Sequence, residues 1–173
     1  KQPAFLRLNS FAQVPVLVDG ETVIQDSNAI LVFLAKKHGK TDWLPEDPIG
    51  AAKVERWLSI AAGQIAYGPA AARLITVFGA NFNTEEVIAR AHDLLKVEED
   101  ELSSRDWIAA NHITIAHIAL YSSIARAPEG NVVLSASRNV IACLLPAESF
   151  PVFVPLLKTP VGPPACYRLP IQH

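Results

Sequence analysis

An α/β unit of one hairpin and one helix, followed by an all-helical region, is the fold class this sequence predicts. Three observations predict it. Two short apolar runs, residues 14–18 and 21–25, flank Asp19-Gly20. The second run leads into Asp26-Ser27-Asn28, after which apolar residues fall at helical spacing. A Pro-containing polar stretch, KTDWLPEDP at residues 40–48, then separates this unit from longer segments whose apolar residues also recur at helical spacing.

Each element has a local cause. Val14, Val16, Leu17 and Val18 form an apolar run broken by Pro15, long enough for a strand and too short for a helix. Asp19-Gly20 is a strong hairpin signal, because both central residues of the favoured turn need positive φ. Thr22, Val23 and Ile24 supply the β-branched returning strand. Asp26-Ser27-Asn28 is an N-cap signal ahead of Ala29, Ile30, Leu31, Phe33 and Leu34. The helix runs from about Ser27 to His38, with Lys36, Lys37 and His38 at its negative end and Gly39 as the stop. His38 reads as a dipole partner rather than a base.

The helix start carries the chemistry. The first N–H groups of a helix lack intrahelical partners and lie at the positive end of its dipole, so they bind carboxylates or phosphates. Ser27 adds a hydroxyl and Asp26 can accept from an ammonium, a pairing suited to an α-amino acid head. Ser27 as a plain helix cap is the alternative reading. Pro15 belongs at an edge, a strand start or beside a ligand, since it donates nothing to a ladder. If the Val14-Pro15 bond is cis, the Val14 main chain turns outward and can pair with a peptide-like ligand.

LNSFAQVPVLVDG followed by QDSNAILVFLAKKHG resembles the glutathione-binding half of a soluble glutathione transferase, of the bacterial kind. The likeness continues through WLPEDP and the following helices to KTPVG, across residues 1–162. In that family the Val before a cis-Pro pairs with the cysteinyl backbone of glutathione. The acid-Ser pair at the next helix start binds the γ-glutamyl head, and the polar residue before Val-Pro lies near the tripeptide. The resemblance thus implies Gln13, Val14, Pro15, Asp26 and Ser27 as glutathione-binding residues. It also implies a partial thioredoxin-like domain over residues 1–39, with hairpin and helix retained, and a linker over 40–48. An all-helical C-terminal domain over 49–162 and a loose tail over 163–173 complete the division. The family's first strand, first helix and second strand would lie upstream, together with the Ser, Tyr or Cys that activates the thiol. The chain therefore reads as N-terminally truncated, and no catalytic residue is assigned in it. Ser10 and Ala12 stand where the family often has Pro and Gly.

Composition limits the function classes. Half of the 173 residues are hydrophobic and 18% are charged, enough apolar material for a sizeable core. A net charge of −2 gives no electrostatic footprint for nucleic acid or an anionic membrane. Cys143 and Cys166 show no metal-ligand spacing, which points to a reducing, cytoplasmic setting. Residues 57–80 are long and weakly polar, but Gln64, Arg73, Pro69 and three glycines suit a helix among helices better than a lipid span.

In the helical region, Pro48 opens a helix carrying Ala51, Val54, Trp57, Leu58 and Ala61 at core spacing. Gly68-Pro69 is expected to kink or split it before residues 70–78, and 79–83 turn the chain. Thr84 is expected to cap the next helix, with Val87, Ala91, Leu94 or Leu95, and Leu102 as its buried stripe. Glu98, Glu99, Asp100 and Glu101 read as a solvated face. Thr114 opens a further helix, with Ile113 and Ile118 at the staple positions. His117 occupies the position where the family usually has the Asp of a capping box, at an expected cost of about 1 kcal/mol. No partner in sequence makes His117 a base or a metal ligand. Residues 139–150 align with the family's seventh helix, with Pro146 inside it and Cys143 where a large aromatic is common. The following Pro-rich stretch reads as extended.

The implied function is glutathione transfer in detoxification, with glutathione as co-substrate, a small electrophile as second substrate, a homodimer as the assembly, and no metal. With the activating residue assigned upstream, weak glutathione binding and poor turnover are expected of this chain. A glutathione-dependent disulfide reductase or isomerase would share the binding half. A non-catalytic scaffold of the same fold is the other alternative.

Overall fold

The computed structural model describes residues 2–39 and 42–159. Strands β1 (Val16–Asp19) and β2 (Thr22–Gln25) pair antiparallel, with Val16 opposite Gln25 and Asp19 opposite Thr22. The turn is therefore Gly20-Glu21, one residue later than expected. Asp19 stays in the ladder, where its carboxylate pairs with Lys37, and only Gly20, at φ +61°, needs the left-handed region. Val14 and Pro15 lie outside the ladder. Ahead of the hairpin, residues expected as loop form a short helix, α1 (Pro3–Leu8). Pro3 in its first turn presets the helical φ at no cost in hydrogen bonds.

Helix α2 covers Ser27–His38. Gly39 ends it in an extended conformation, φ −72° and ψ 141°, rather than the left-handed one. Glycine is required there for space, since a Cβ would lie 2.4 Å from the Ala35 carbonyl oxygen. Lys40 and Thr41 of the expected linker lie outside the described residues. Asp47 then caps α3 (Pro48–Ile60), its carboxylate accepting from the Gly50 N–H at 2.8 Å.

The expected split at Gly68-Pro69 does not occur. Helix α3 passes into a π-helical segment, Ala61–Ala70, and then into α4 (Ala71–Phe78). In the wider winding each N–H reaches five residues back, and the Pro69 position lacks its donor as it would in any helical ladder. Gly68 faces α5 closely, and a Cβ on it would come within 3.2 Å of the Ala91 Cα.

Helix α5 (Thr84–Leu102) is capped by Asn83, not Thr84; the Asn83 side chain accepts from the Glu86 N–H at 3.2 Å. Val87, Ala91, Leu94, Leu95 and Leu102 are buried as the spacing predicts. The solvated acidic face is corrected. Glu98 falls on the same stripe, four residues before Leu102, and is fully buried. The Glu99 carboxylate accepts from the Asn139 and Val140 N–H groups at 2.9 and 3.1 Å, at the start of α7 (Arg138–Leu144). Glu101 pairs with Arg56 and Arg105, which leaves Asp100 as the exposed member.

Thr114 precedes α6 (Ile115–Ala125), and the capping box forms with His117 in it. Helix α7 ends at Leu144, and Pro146 falls in the first turn of a 3₁₀ segment, Leu145–Ser149. The helix stops before the proline, so the interior-proline cost does not arise. The extended segment after Phe150 is tied down by the Thr159 N–H, which donates to Glu129 at 3.1 Å. Residues 160–173, including Cys166 and the expected loose tail, lie outside the described residues. Among those described, no helix is long and apolar enough to cross a membrane, and no group of three metal-ligating side chains converges.

Candidate functional site

The site is assembled where the loop after α1 meets the start of α2. Asn9, almost fully buried, shapes that loop: its Nδ2 donates to the Gln13 carbonyl at 2.8 Å and its Oδ1 accepts from the Phe11 N–H at 3.1 Å. Gln25, at the end of β2, donates to the Leu8 carbonyl at 2.7 Å and holds the hairpin against α1. Asn28 donates to the Leu58 carbonyl at 2.8 Å and anchors the start of α2 to α3. Three side-chain amides thus fix the frame.

All five residues singled out from sequence, Gln13, Val14, Pro15, Asp26 and Ser27, line one cavity of about 370 Å³. The Val14-Pro15 peptide bond is cis. Val14 is 77% exposed, and its amide and carbonyl make no hydrogen bond among the described residues.

Asp26, not Ser27, caps the helix. Its Oδ1 accepts from the Asn28 and Ala29 N–H groups at 2.9 and 3.0 Å. Ser27 is the first helical residue, and neither its N–H nor its hydroxyl has a partner among the described residues. The local alternative of a plain Ser27 cap is replaced by a division of labour. One carboxylate oxygen of Asp26 satisfies the helix, while Ser27 keeps two donors free at the positive end of the dipole. Asp26 sits at φ +76°, a conformation an L residue adopts only under constraint, and such outliers gather at binding sites.

A larger cleft of about 660 Å³ shares Gln13, Pro15, Asp26 and Ser27 with this cavity. It continues along Ile30 and Leu31 of α2, Ile65 and Ala66 of the π segment, and Ile118 of α6. The polar pocket therefore opens directly onto an apolar wall. Sequence reasoning missed Asn9, Phe11 and Gln25 in the first cavity, and Tyr67 in the second. Only Gln25, next to Asp26 in the chain, had a local signal that could have found it. The side chains with strongly shifted ionisation, Glu98, His117, Tyr121 and Cys143, belong to the helical region and line neither pocket.

Known proteins resemble the chain in both halves. A family model described as glutathione S-transferase, N-terminal domain, matches residues 1–37. Glutathione S-transferase 3 of Zea mays is 35% identical over 127 residues, 67% of this chain and 56% of the relative. Glutathione S-transferase D7 of Drosophila melanogaster is 28% identical over 142 residues, 80% of this chain and 63% of the relative. The chain thus spans less than two thirds of the length of these relatives. Among solved structures, a glutathione S-transferase from Pseudomonas fluorescens superposes with a TM-score of 0.83 at 29% identity, covering 91% of this chain and 80% of that one. A glutathione transferase homolog from Drosophila mojavensis, solved with bound glutathione, gives 0.77 at 26% identity, covering 87% and 71%. The small two-stranded sheet and its helices match a partial thioredoxin-like domain, and the rest matches an all-α C-terminal domain.

Proposed function

We infer that this chain, for which family-model, curated and structural matches all support the glutathione S-transferase family, binds glutathione in the cavity between Val14 and Ser27. The observation that carries the reading is the unspent pair of donors on Ser27, facing the same cavity as the unpaired main chain of Val14. The γ-glutamyl carboxylate accepts from the Ser27 N–H and hydroxyl, where the dipole favours an anion. The γ-glutamyl ammonium pairs with the Asp26 oxygen that the cap leaves free. The Val14 amide and carbonyl pair with the cysteinyl backbone, as an added strand would, with Pro15 fixing the approach and Gln13 beside it. A relative solved with bound glutathione supports the ligand class.

The tripeptide so held directs its thiol toward the apolar cleft, where a small electrophile packs against Ile65, Ile118 and their neighbours. In conjugation the thiolate sulfur forms a bond to the electrophilic carbon, the leaving group departs with its electron pair, and the thiol proton passes to solvent. The residues of this cavity bind and orient, and none is assigned to thiol activation. The proposed setting is cytoplasmic and the proposed assembly a homodimer. Titration calorimetry with glutathione tests the reading. Ser27→Ala is expected to weaken binding at least about tenfold, the loss of a charge-assisted hydrogen bond. Equal heats for both proteins overturn it and leave a scaffold of the same fold.

A further inference from the structure

The apolar cleft continues past Ser122 and Ser123 of α6 into a further cavity of about 300 Å³. The two spaces share both serines, Ala70 and Leu74, while the further cavity has no residue in common with the pocket at Ser27. Beyond the serines stand two arginines, Arg73 from α4 and Arg126 directly after α6, with Leu156 and Leu157 of the extended segment as the remaining side. Neither serine hydroxyl has a hydrogen-bond partner among the described residues.

The arginines are held in a fixed frame, and their charges do not cancel. Arg73 Nε donates to Glu129 Oε2 at 2.7 Å and its Nη2 to the Thr159 hydroxyl at 3.3 Å. Glu129 is almost fully buried, and its Oε1 accepts from the Thr159 N–H. Arg126 donates from Nη2 to the Leu156 carbonyl, and its Nε lies 3.7 Å from Glu129 Oε1, beyond hydrogen-bond reach. Gly130 lets this frame close up, since a Cβ there would come 2.5 Å from the Arg73 backbone nitrogen. One carboxylate thus faces two guanidinium groups. Glu148 stands near Tyr121, as Arg126 does, but it accepts the Tyr121 hydroxyl at 2.6 Å and forms no ion pair with either arginine among the described residues. Lys158, between Leu157 and Thr159 in the chain, adds no negative charge.

The Nη1 group of each arginine has no acceptor among the described residues and, unlike Arg126 Nε, is not sealed from solvent. Side-chain exposure is 29% at Arg73 and 13% at Arg126. A partly buried charge without its full counter-charge is costly, and an anion that accepts from these groups recovers that cost. One unbalanced positive charge suits a monoanion, whereas a phosphate dianion brings surplus negative charge beside Glu129. Ala70, Leu74 and the two leucines call for methylenes behind the charged group, and an ammonium would meet two guanidinium groups. We propose that the cleft binds amphiphilic monocarboxylates, with the apolar body against α2 and α6 and the carboxylate beyond Ser122 and Ser123 at Arg73 and Arg126. Resting on the glutathione reading above, this names the class of second substrate: an electrophile that carries a carboxylate at the end away from the thiol.

Titration calorimetry on the whole chain, without glutathione, compares 4-phenylbutanoate, 4-phenylbutan-1-ol and 4-phenylbutan-1-amine. The carboxylate is expected to bind at least about tenfold tighter than the alcohol, the size of one charge-assisted contact, and the amine weakest. Arg126→Gln, which keeps a donor for the Leu156 carbonyl, is expected to erase that preference. Leu157→Glu, at a position 92% exposed, leaves the core alone and sets a competing carboxylate at the rim; it is expected to cut carboxylate affinity severalfold, with the alcohol unchanged and Leu157→Gln behaving as the parent. Ser27→Ala should leave the preference as it is. Equal affinity of carboxylate and alcohol, absence of saturable carboxylate binding, or a preference undiminished in Arg126→Gln or in Leu157→Glu overturns the proposal. Loss of the preference in Ser27→Ala assigns the carboxylate to the start of α2 and overturns it too. Because glutathione is left out, a chain that binds no glutathione can still show the preference, and one that binds it can lack the preference.

Discussion

At the start of α2 the polar side chains sit at the ends of elements, exposed, each with a backbone donor within local reach. In α5 and α6 the polar side chains of most consequence, Glu98 and His117, lie inside the core at 0% exposure. The first arrangement needs little from the rest of the molecule, because a cap and a free helix N-terminus are made by neighbours in sequence. The second depends on what the folded chain places around it. Glu98 finds no partner among the described residues. His117 accepts from the Thr114 N–H at 3.0 Å and lies 3.3 Å from the Ile108 N–H. A neutral imidazole has one lone pair to offer, and the shorter contact gives it to Thr114. Exposed chemistry is thus a matter of local geometry, and buried chemistry a matter of desolvation.

The largest expected effect breaks the buried side of that contrast. Glu98 holds its proton to about pH 8 in the folded chain, against an ordinary 4.5. Between those values the folded state binds more protons than the unfolded one, so stability falls as pH rises from about 4.5 to about 8. Glu98→Leu removes the group and should stabilise by on the order of a few kcal/mol at pH 8, with less gain at pH 5. Urea denaturation across that range checks it. A variant less stable than the parent at pH 8 would show that the carboxyl has a partner after all.

His117 has the opposite sign. Burial holds its imidazole down to about 4, below the ordinary 6.5, so the unfolded chain binds more protons in that window and stability falls as pH drops through it. Between about 4.5 and 6.5 the two residues oppose each other and the stability curve should be nearly flat; above 6.5 Glu98 acts alone and the curve declines. His117→Ala is expected to cost about 2 kcal/mol at pH 7, a lost cap with an orphaned Thr114 N–H, and to lose part of the acid limb. The low value also explains why His117 works in a capping box: it stays neutral, so the expected conflict of an imidazolium with the helix dipole does not arise.

The same contrast explains what could be read beforehand. The bounds of α2 and the convergence of Asp26 and Ser27 were legible because caps and dipole ends are written within a few residues. The turn at Gly20-Glu21 was missed by one position because Asp19 is held in the ladder by Lys37, seventeen residues beyond the turn's first glycine and invisible to turn chemistry. The π segment was not legible, since Pro69 alone signals a break, and only the close fit of Gly68 on Ala91 shows why the helical path continues. Glu98 was misread as part of a charge run, although its spacing from Leu94, Leu95 and Leu102 already put it on the buried stripe. The apolar cleft joins α2, the π segment and α6, and no local pattern announces a wall built from three distant stretches.

The smallest effect sharpens the exposed side. Sequence placed the cap of α5 at Thr84; the structure gives it to Asn83, whose Oδ1 accepts from the Glu86 N–H. Asn83→Ala should therefore cost about 1 kcal/mol, the usual loss of an N-cap. Thr84→Ala removes no hydrogen bond found among the described residues and replaces a β-branched residue in the first turn with the best helix former, so it should change stability by a few tenths of a kcal/mol at most, in the stabilising direction. Thermal denaturation of the two variants side by side separates the registers. If Thr84→Ala carries the larger loss, the helix begins one residue later, Glu85 and Glu86 move outward by one position along its dipole, and the cap belongs to the hydroxyl.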